Sequence, residues 1–245
     1  MKDNFSQQSA DYARYRPVYP DAYFEFILSI TKERNTAWDC GAGNGQVAEK
    51  LSMYFDKIYA TDISAQQIEQ AVPNEKIEYS VQPAEQTNFP DGFFDLIVAA
   101  QAVHWFDFDR FYTEVNRTLK KDGIISVLGY NRPVIVPEVD EIITRFYQTI
   151  VGPYWDKERK YIDEHYQTIP FPFEEVESPK LQIVFEWSFK QLVGYLGTWS
   201  AVKHFTKEKG YNPVTEISNA LKIAWGNEAE GKSVCFPVMM RTGRK

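Results

Sequence analysis

Three glycines at alternate positions, Gly41, Gly43 and Gly45 in WDCGAGNGQ, follow the apolar stretch TAWDC (36–40) and precede an amphipathic one. An apolar strand, a glycine turn and a helix in that order constrain the chain strongly. Such a turn lies at the carboxyl edge of a parallel sheet, where ligands bind. Glycine there permits a sharp turn and a close backbone approach. The spacing is G-x-G-x-G, not the G-x-G-x-x-G of dinucleotide binders. Asp39 stands two positions before the loop.

The flanking pattern extends this reading. KIYATD (57–62) is a second strand ending on an acid, Asp62. A carboxylate there can accept both ribose hydroxyls of an adenosine. Strands also fit KIEYSV (76–81), FFDLIVAA (93–100), 123–129, LQIVFEW (181–187) and SVCFPVMMRTGR (233–244). Helices fit 21–30 with Asp21 as N-cap, 44–55, a segment from Ser64, and 108–119. Further helices fit FKQLVGYLGTWSAVKHF and PVTEISNALKIAWG. Strands alternating with helices predict an α/β fold: a Rossmann-like, mostly parallel seven-stranded sheet with helices on both faces. Residues 131–180 break the rhythm and are expected to be a helical, aromatic lid insertion. The chain is expected to be a single domain over 1–245. It divides into a core at about 30–130, the insertion at 131–180 and a C-terminal part at 181–245.

The 245 residues are 44% hydrophobic and 16% aromatic, with a net charge of −7. That balance disfavours nucleic acid as a partner, because affinity there rests on neutralising phosphates. The start of the chain lacks an apolar signal core, and no run reaches bilayer length, so a cytoplasmic protein without a membrane partner is expected. Cys40 and Cys235 lie in strand-like stretches and are expected to be buried, reduced thiols. They make no zinc site, and no metal is expected.

D-x-G-x-G-x-G, the strand-end Asp62 and AE…FPDGFFDLIVAAQAVHWF together resemble the class I S-adenosylmethionine-dependent methyltransferases of the type-11 group. FSQQSADYARYRPVYP and TWSAVKHF are similar to the trans-aconitate methyltransferase-like branch. The resemblance implies methyl transfer from S-adenosyl-L-methionine to a small-molecule acceptor, in particular O-methylation of a carboxylate. It places Asp39, Gly41, Ala42, Gly43 and Gly45 at the methionine end of the cofactor. Asp62, Ile63 and Gln67 would hold the ribose, Ala84 and Glu85 would border the adenine, and Gln101 would face the cofactor from the other side.

His104 in HWFD, with Trp105 beside it, is the candidate catalytic residue, as base or as hydrogen-bond donor. The alternative is that it orders the loop or caps the helix from Phe108. Tyr12 and Arg16 are candidates for the cofactor carboxylate within a flap over residues 5–20. Tyr19, Trp199 and His204 are candidates for the acceptor. Arg132, Arg145 and Lys203 are cations available to an acid. Other readings stay open: a phenol, amine or quinone acceptor with His104 as base, an NAD-binding oxidoreductase, or a cofactor-binding protein without catalysis.

Overall fold

The structure, a computed structural model, describes residues 17–245. Strand β1 (Thr36–Cys40) is buried along nearly its whole length and pairs in parallel with both β2 (Lys57–Asp62) and β4 (Phe94–Ala100). Strand β3 (Ile77–Val81) lies outside β2, and β5 (Leu119–Tyr130) lies beyond β4. The order is β3-β2-β1-β4-β5-β8-β6, and β8 (Lys232–Arg244) runs antiparallel to β5. Strands β6 (Glu174–Val176) and β7 (Gln182–Trp187) also pair antiparallel with β8.

The alternation of side chains along each strand supplies two cores. Ala37, Leu96 and Val98 join one apolar cluster with Tyr23 and Ile27 of α1 (Asp21–Ile30) and Leu51 of α2 (Gln46–Leu51). Their neighbours Trp38, Ile97 and Ala99 join the opposite cluster with Phe111 and Val115 of α4 (Phe108–Thr118). Helices therefore cover both faces, and the architecture is the expected Rossmann-like α/β fold.

The sheet carries eight strands among the described residues, one more than the sequence suggests. The addition is β6, three residues long with both glutamates exposed. So short and polar a segment carries no period-two signal. Helix α1 begins at Asp21 itself, with Pro20 at the cap. Asp21 instead pairs with Lys50 across 2.9 Å. Helix α2 starts at Gln46, not Asn44, because Gly45 is left-handed at φ 86°. Ser64 does cap α3 (Ala65–Glu69) through the Gln67 N–H. The expected helix over 189–205 is two, α7 (Phe189–Gly197) and α8 (Ser200–Lys209), broken at extended Trp199. Helices α5 (Pro137–Arg145) and α6 (Arg159–Asp163) lie in the 131–180 segment, which also holds a π-helical turn at Phe146–Ile150, a 3-10 turn at Gly152–Tyr154 and strand β6, and α9 (Val214–Trp225) precedes β8. Cys40 is buried as expected; Cys235 is only half-buried, and both thiols are free.

Candidate active site

Strand order reverses between β1 and β4, so the loops after these two strands diverge and leave a crevice at the carboxyl edge. The glycine loop forms one wall. The Gly41 and Ala42 N–H groups both donate to the Thr61 carbonyl, at 2.8 and 2.9 Å. Gly43 N–H donates to Asp62 Oδ2 at 2.9 Å, and Ser64 N–H donates to Asp62 Oδ1 at 2.9 Å. Asp62 thus ties the loop after β1 to the loop after β2.

All three glycines have positive φ, but for different neighbours. A Cβ at Gly41 would stand 2.6 Å from Ala102 Cβ, and one at Gly45 would stand 2.5 Å from the Tyr79 hydroxyl oxygen. Protein occupies those two approaches. At Gly43 the nearest atom is Gln67 Oε1, at 3.8 Å, so only this glycine faces open space.

The crevice is lined by Asp39, Gly41, Ala42, Gly43, Asp62, Ile63, Gln67 and Gln101, all expected at the cofactor. Tyr19, expected at the acceptor, lines this crevice together with Pro17. Gly45, Ala84 and Glu85 do not line it. Gly45 starts α2, Ala84 is buried, and Glu85 accepts from the Asp107 N–H at 3.1 Å. Tyr12 and Arg16, and all but the last four residues of the expected flap, lie outside the described residues.

Asp39 is buried. Its Oδ2 accepts from the Ala48 N–H at 2.9 Å, and its Oδ1 has no hydrogen-bond partner among the described residues. Burial pushes its carboxyl up to about 7 against the pull of the Ala48 bond. A buried, half-satisfied acid on the wall of a crevice fits a cationic group of a ligand. The sign follows from proton linkage. Folded Asp39 retains a proton between its ordinary value and about 7, so it makes the ligand-free fold less stable as pH rises through that window. A cation in the crevice favours the ionised form, so cationic-ligand affinity rises over the same window. A cationic ligand of this crevice should bind wild type up to about tenfold more tightly at pH 8 than at pH 6, and Asp39→Asn should be flat by calorimetry. Equal pH slopes for both proteins would overturn this role.

The loop after β4 forms the other wall. Gln101 sits at φ 53°, a left-handed conformation that costs a non-glycine residue energy and clusters at functional sites. Its N–H donates to the Leu128 carbonyl at 2.8 Å, and its amide donates to the Tyr130 carbonyl at 2.9 Å. A second cavity opens behind it. Gln101, Trp105 and Tyr130 line both spaces. The second is completed by His104, by Trp155, Asp156 and Arg159 of the 131–180 segment, and by Tyr195, Trp199 and Ser200.

Of the acceptor candidates, Trp199 lines this second cavity. His204 stands behind, with Nδ1 3.0 Å from the Tyr154 carbonyl oxygen. The cation present is Arg159, which the sequence did not single out. Its Nε donates to the Tyr147 hydroxyl at 2.9 Å, its Nη2 donates to Asn131 Oδ1 at 3.0 Å, and its guanidinium lies 4.8 Å from the Trp155 ring centroid. Arg132, Arg145 and Lys203 do not line the cavity; Arg132 stacks on Tyr147 instead. No spacing in the sequence distinguishes Arg159 from a solvated helix charge.

The described residues hold no group of three or more His, Cys, Asp or Glu side chains arranged to bind a metal ion, and no helix among them is long and apolar enough to cross a membrane. The family profile described as "Methyltransferase domain" matches residues 38–127. A Dictyostelium discoideum protein named "Putative methyltransferase" is 34% identical over 251 residues, spanning 99% of this chain and 95% of its own length. The solved structure described as a "Putative Type II Methyltransferase from Anaeromyxobacter dehalogenans" has a TM-score of 0.86 and 38% identity, covering 94% of this chain and 98% of that one. A Saccharomyces cerevisiae protein named "Probable S-adenosylmethionine-dependent methyltransferase" is 26% identical over 180 residues, 69% of this chain and 60% of the yeast protein.

Proposed function

Since the chain belongs to the class I S-adenosylmethionine-dependent methyltransferases, we propose that the crevice beside β1 holds S-adenosylmethionine and that the second cavity holds a small-molecule acceptor. The observation that carries this is the shared wall: Gln101, Trp105 and Tyr130 border both spaces. Two ligands meeting there are aligned for in-line displacement, and such positioning supplies about 7–11 kcal/mol in favourable cases. S-adenosylmethionine brings the methyl group on a sulfonium that is already a good leaving centre. The chain need only position and exclude water, and the rings of Trp105, Trp155, Trp199 and Tyr195 suit that task.

Asp39 would face a cationic group of the cofactor, Asp62 its ribose, and Gly43 would give it room. The orphaned Asp39 oxygen and the open side of Gly43 support that placement. Ala84 and Glu85 at the adenine, and Tyr12 and Arg16 at the carboxylate, rest on the resemblance alone. No metal takes part in this reading.

The acceptor is read as a carboxylate-bearing molecule, methylated on oxygen, in the trans-aconitate methyltransferase-like branch. The signatures FSQQSADYARYRPVYP and TWSAVKHF and the Arg159 guanidinium on the cavity wall support it. We read residues 1–245 as one cytoplasmic methyltransferase domain, with 131–180 as the lid. Trp155, Asp156 and Arg159 of that segment reach the acceptor cavity. A screen of small acids, phenols and amines for S-adenosylhomocysteine release tests the function.

With the acceptor found, His104 separates the chemistries. For a carboxylate, His104→Gln keeps a donor and should retain much of the activity, while His104→Ala should lose about tenfold more. Equal collapse of both folded variants would instead make His104 the base for a phenol or amine.

A further inference from the structure

His104 stands in the 3-10 turn Val103–Trp105 after β4 and is buried. Its Nδ1 lies 3.0 Å from the hydroxyl oxygen of Tyr166, which is also buried, and the two rings stack at 6.0 Å. We propose that Tyr166 is the positioning residue of the acceptor cavity. Its hydroxyl donates to His104 Nδ1 and fixes the tautomer whose proton sits on Nε2. This rests on the reading that the second cavity takes the acceptor.

Three features of the fold hold Tyr166 in that place. First, His165 and Tyr166 are consecutive residues at φ 54° and 60°. The left-handed region costs a residue with a side chain roughly 1–2 kcal/mol, and a bulky ring there is an outlier. The turn is closed by His165 N–H donating to the Ile162 carbonyl at 3.0 Å and Tyr166 N–H donating to the Tyr161 carbonyl at 2.8 Å. It turns the ring inward from the end of α6. Second, β5 makes room for it: a Cβ at Gly129 would stand 2.9 Å from the Tyr166 hydroxyl oxygen. Third, the Tyr166 carbonyl accepts from the Ile169 N–H, and Arg241 donates to the Ile169 carbonyl at 2.6 Å, which anchors the segment to β8.

The direction of the hydrogen bond follows from the chemistry of the pair. Neutral imidazole has one donor and one acceptor nitrogen, whereas the phenol has one O–H. The phenolic O–H is far more acidic than the N–H of neutral imidazole, and the imidazole nitrogen is the better acceptor. O–H to Nδ1 is therefore the stronger pairing, and it leaves the proton on Nε2. A ring so fixed donates from Nε2 and cannot take a proton there. The acceptor must then arrive with its nucleophile already deprotonated, as a carboxylate does.

The tautomer can be read without knowing the acceptor. The chain has three histidines, so the His104 signals in a ¹⁵N-histidine spectrum are those missing from His104→Gln. Wild type should show Nδ1 as the bare acceptor and Nε2 protonated. Tyr166→Phe, which keeps the ring, should move His104 toward the other tautomer or a mixture, with S-adenosylhomocysteine affinity unchanged within about twofold and, with an acceptor from the screen, kcat lower by at least about tenfold. A proton on Nδ1 in wild type overturns the proposal, and so does an unaltered pattern in Tyr166→Phe. Should Tyr166→Phe not fold, the wild-type spectrum alone decides. Failure of wild type to bind S-adenosylhomocysteine would sink the methyl-transfer reading and leave the tautomer result standing.

Discussion

Gly41→Ala should lower the melting temperature by roughly 10 °C. The new methyl would stand 2.6 Å from Ala102 Cβ and 3.3 Å from the Phe106 ring, neither of which is a flexible chain end. Overpacking of this kind costs about 1–3 kcal/mol, and alanine at φ 71° adds roughly 1–2 kcal/mol. Gly43→Ala pays only the second cost, since its methyl meets nothing closer than 3.8 Å. Its effect should fall on the ligand: S-adenosylhomocysteine affinity should drop at least about tenfold, a loss equivalent to roughly 1.4 kcal/mol. Calorimetry and thermal melting of the two variants make the comparison. If Gly41→Ala melts like wild type, Ala102 and Phe106 are not what excludes a side chain there.

Asp62→Ala should weaken S-adenosylhomocysteine binding roughly tenfold to a hundredfold, because a charge-assisted hydrogen bond contributes about 1.5–3 kcal/mol. Two effects would combine. The carboxylate would no longer be there for the ribose, and the Gly43 and Ser64 N–H groups would lose the acceptor that joins their loops. A 2′,3′-dideoxy analogue of S-adenosylhomocysteine separates them. Wild type should bind it weakly, and the variant should barely distinguish it from the parent. A variant that still discriminates against the analogue would confine Asp62 to loop support and remove it from the ribose.

The strand–glycine–helix unit and the acid ending β2 were legible because their signals are local. A φ near 60–90° at three alternate positions demands glycine wherever the chain lies in space. Local pattern also located seven strands and most helices. It did not reveal β6, whose Glu174, Glu175 and Val176 become a strand only because β8 offers its edge. Nor did it show what each glycine accommodates. Gly41 and Gly45 yield to Ala102 and Tyr79, which are distant in sequence, while Gly43 alone meets open space.

The second cavity was the least legible part. The sequence by itself determined the fold class, the glycine loop after β1, the places of Asp39 in β1 and Asp62 at the end of β2, and that of His104 after β4. Each rests on residues adjacent in the chain or one strand apart. Only the tertiary structure decided that Arg159 and Tyr166 come to the same edge from the 131–180 segment, and that Tyr195, Trp199 and Ser200 close it from the C-terminal part. Those residues arrive from two separated stretches. Their convergence depends on how helices and turns dock against the sheet, and that docking is set by packing of the whole core, which no local spacing encodes.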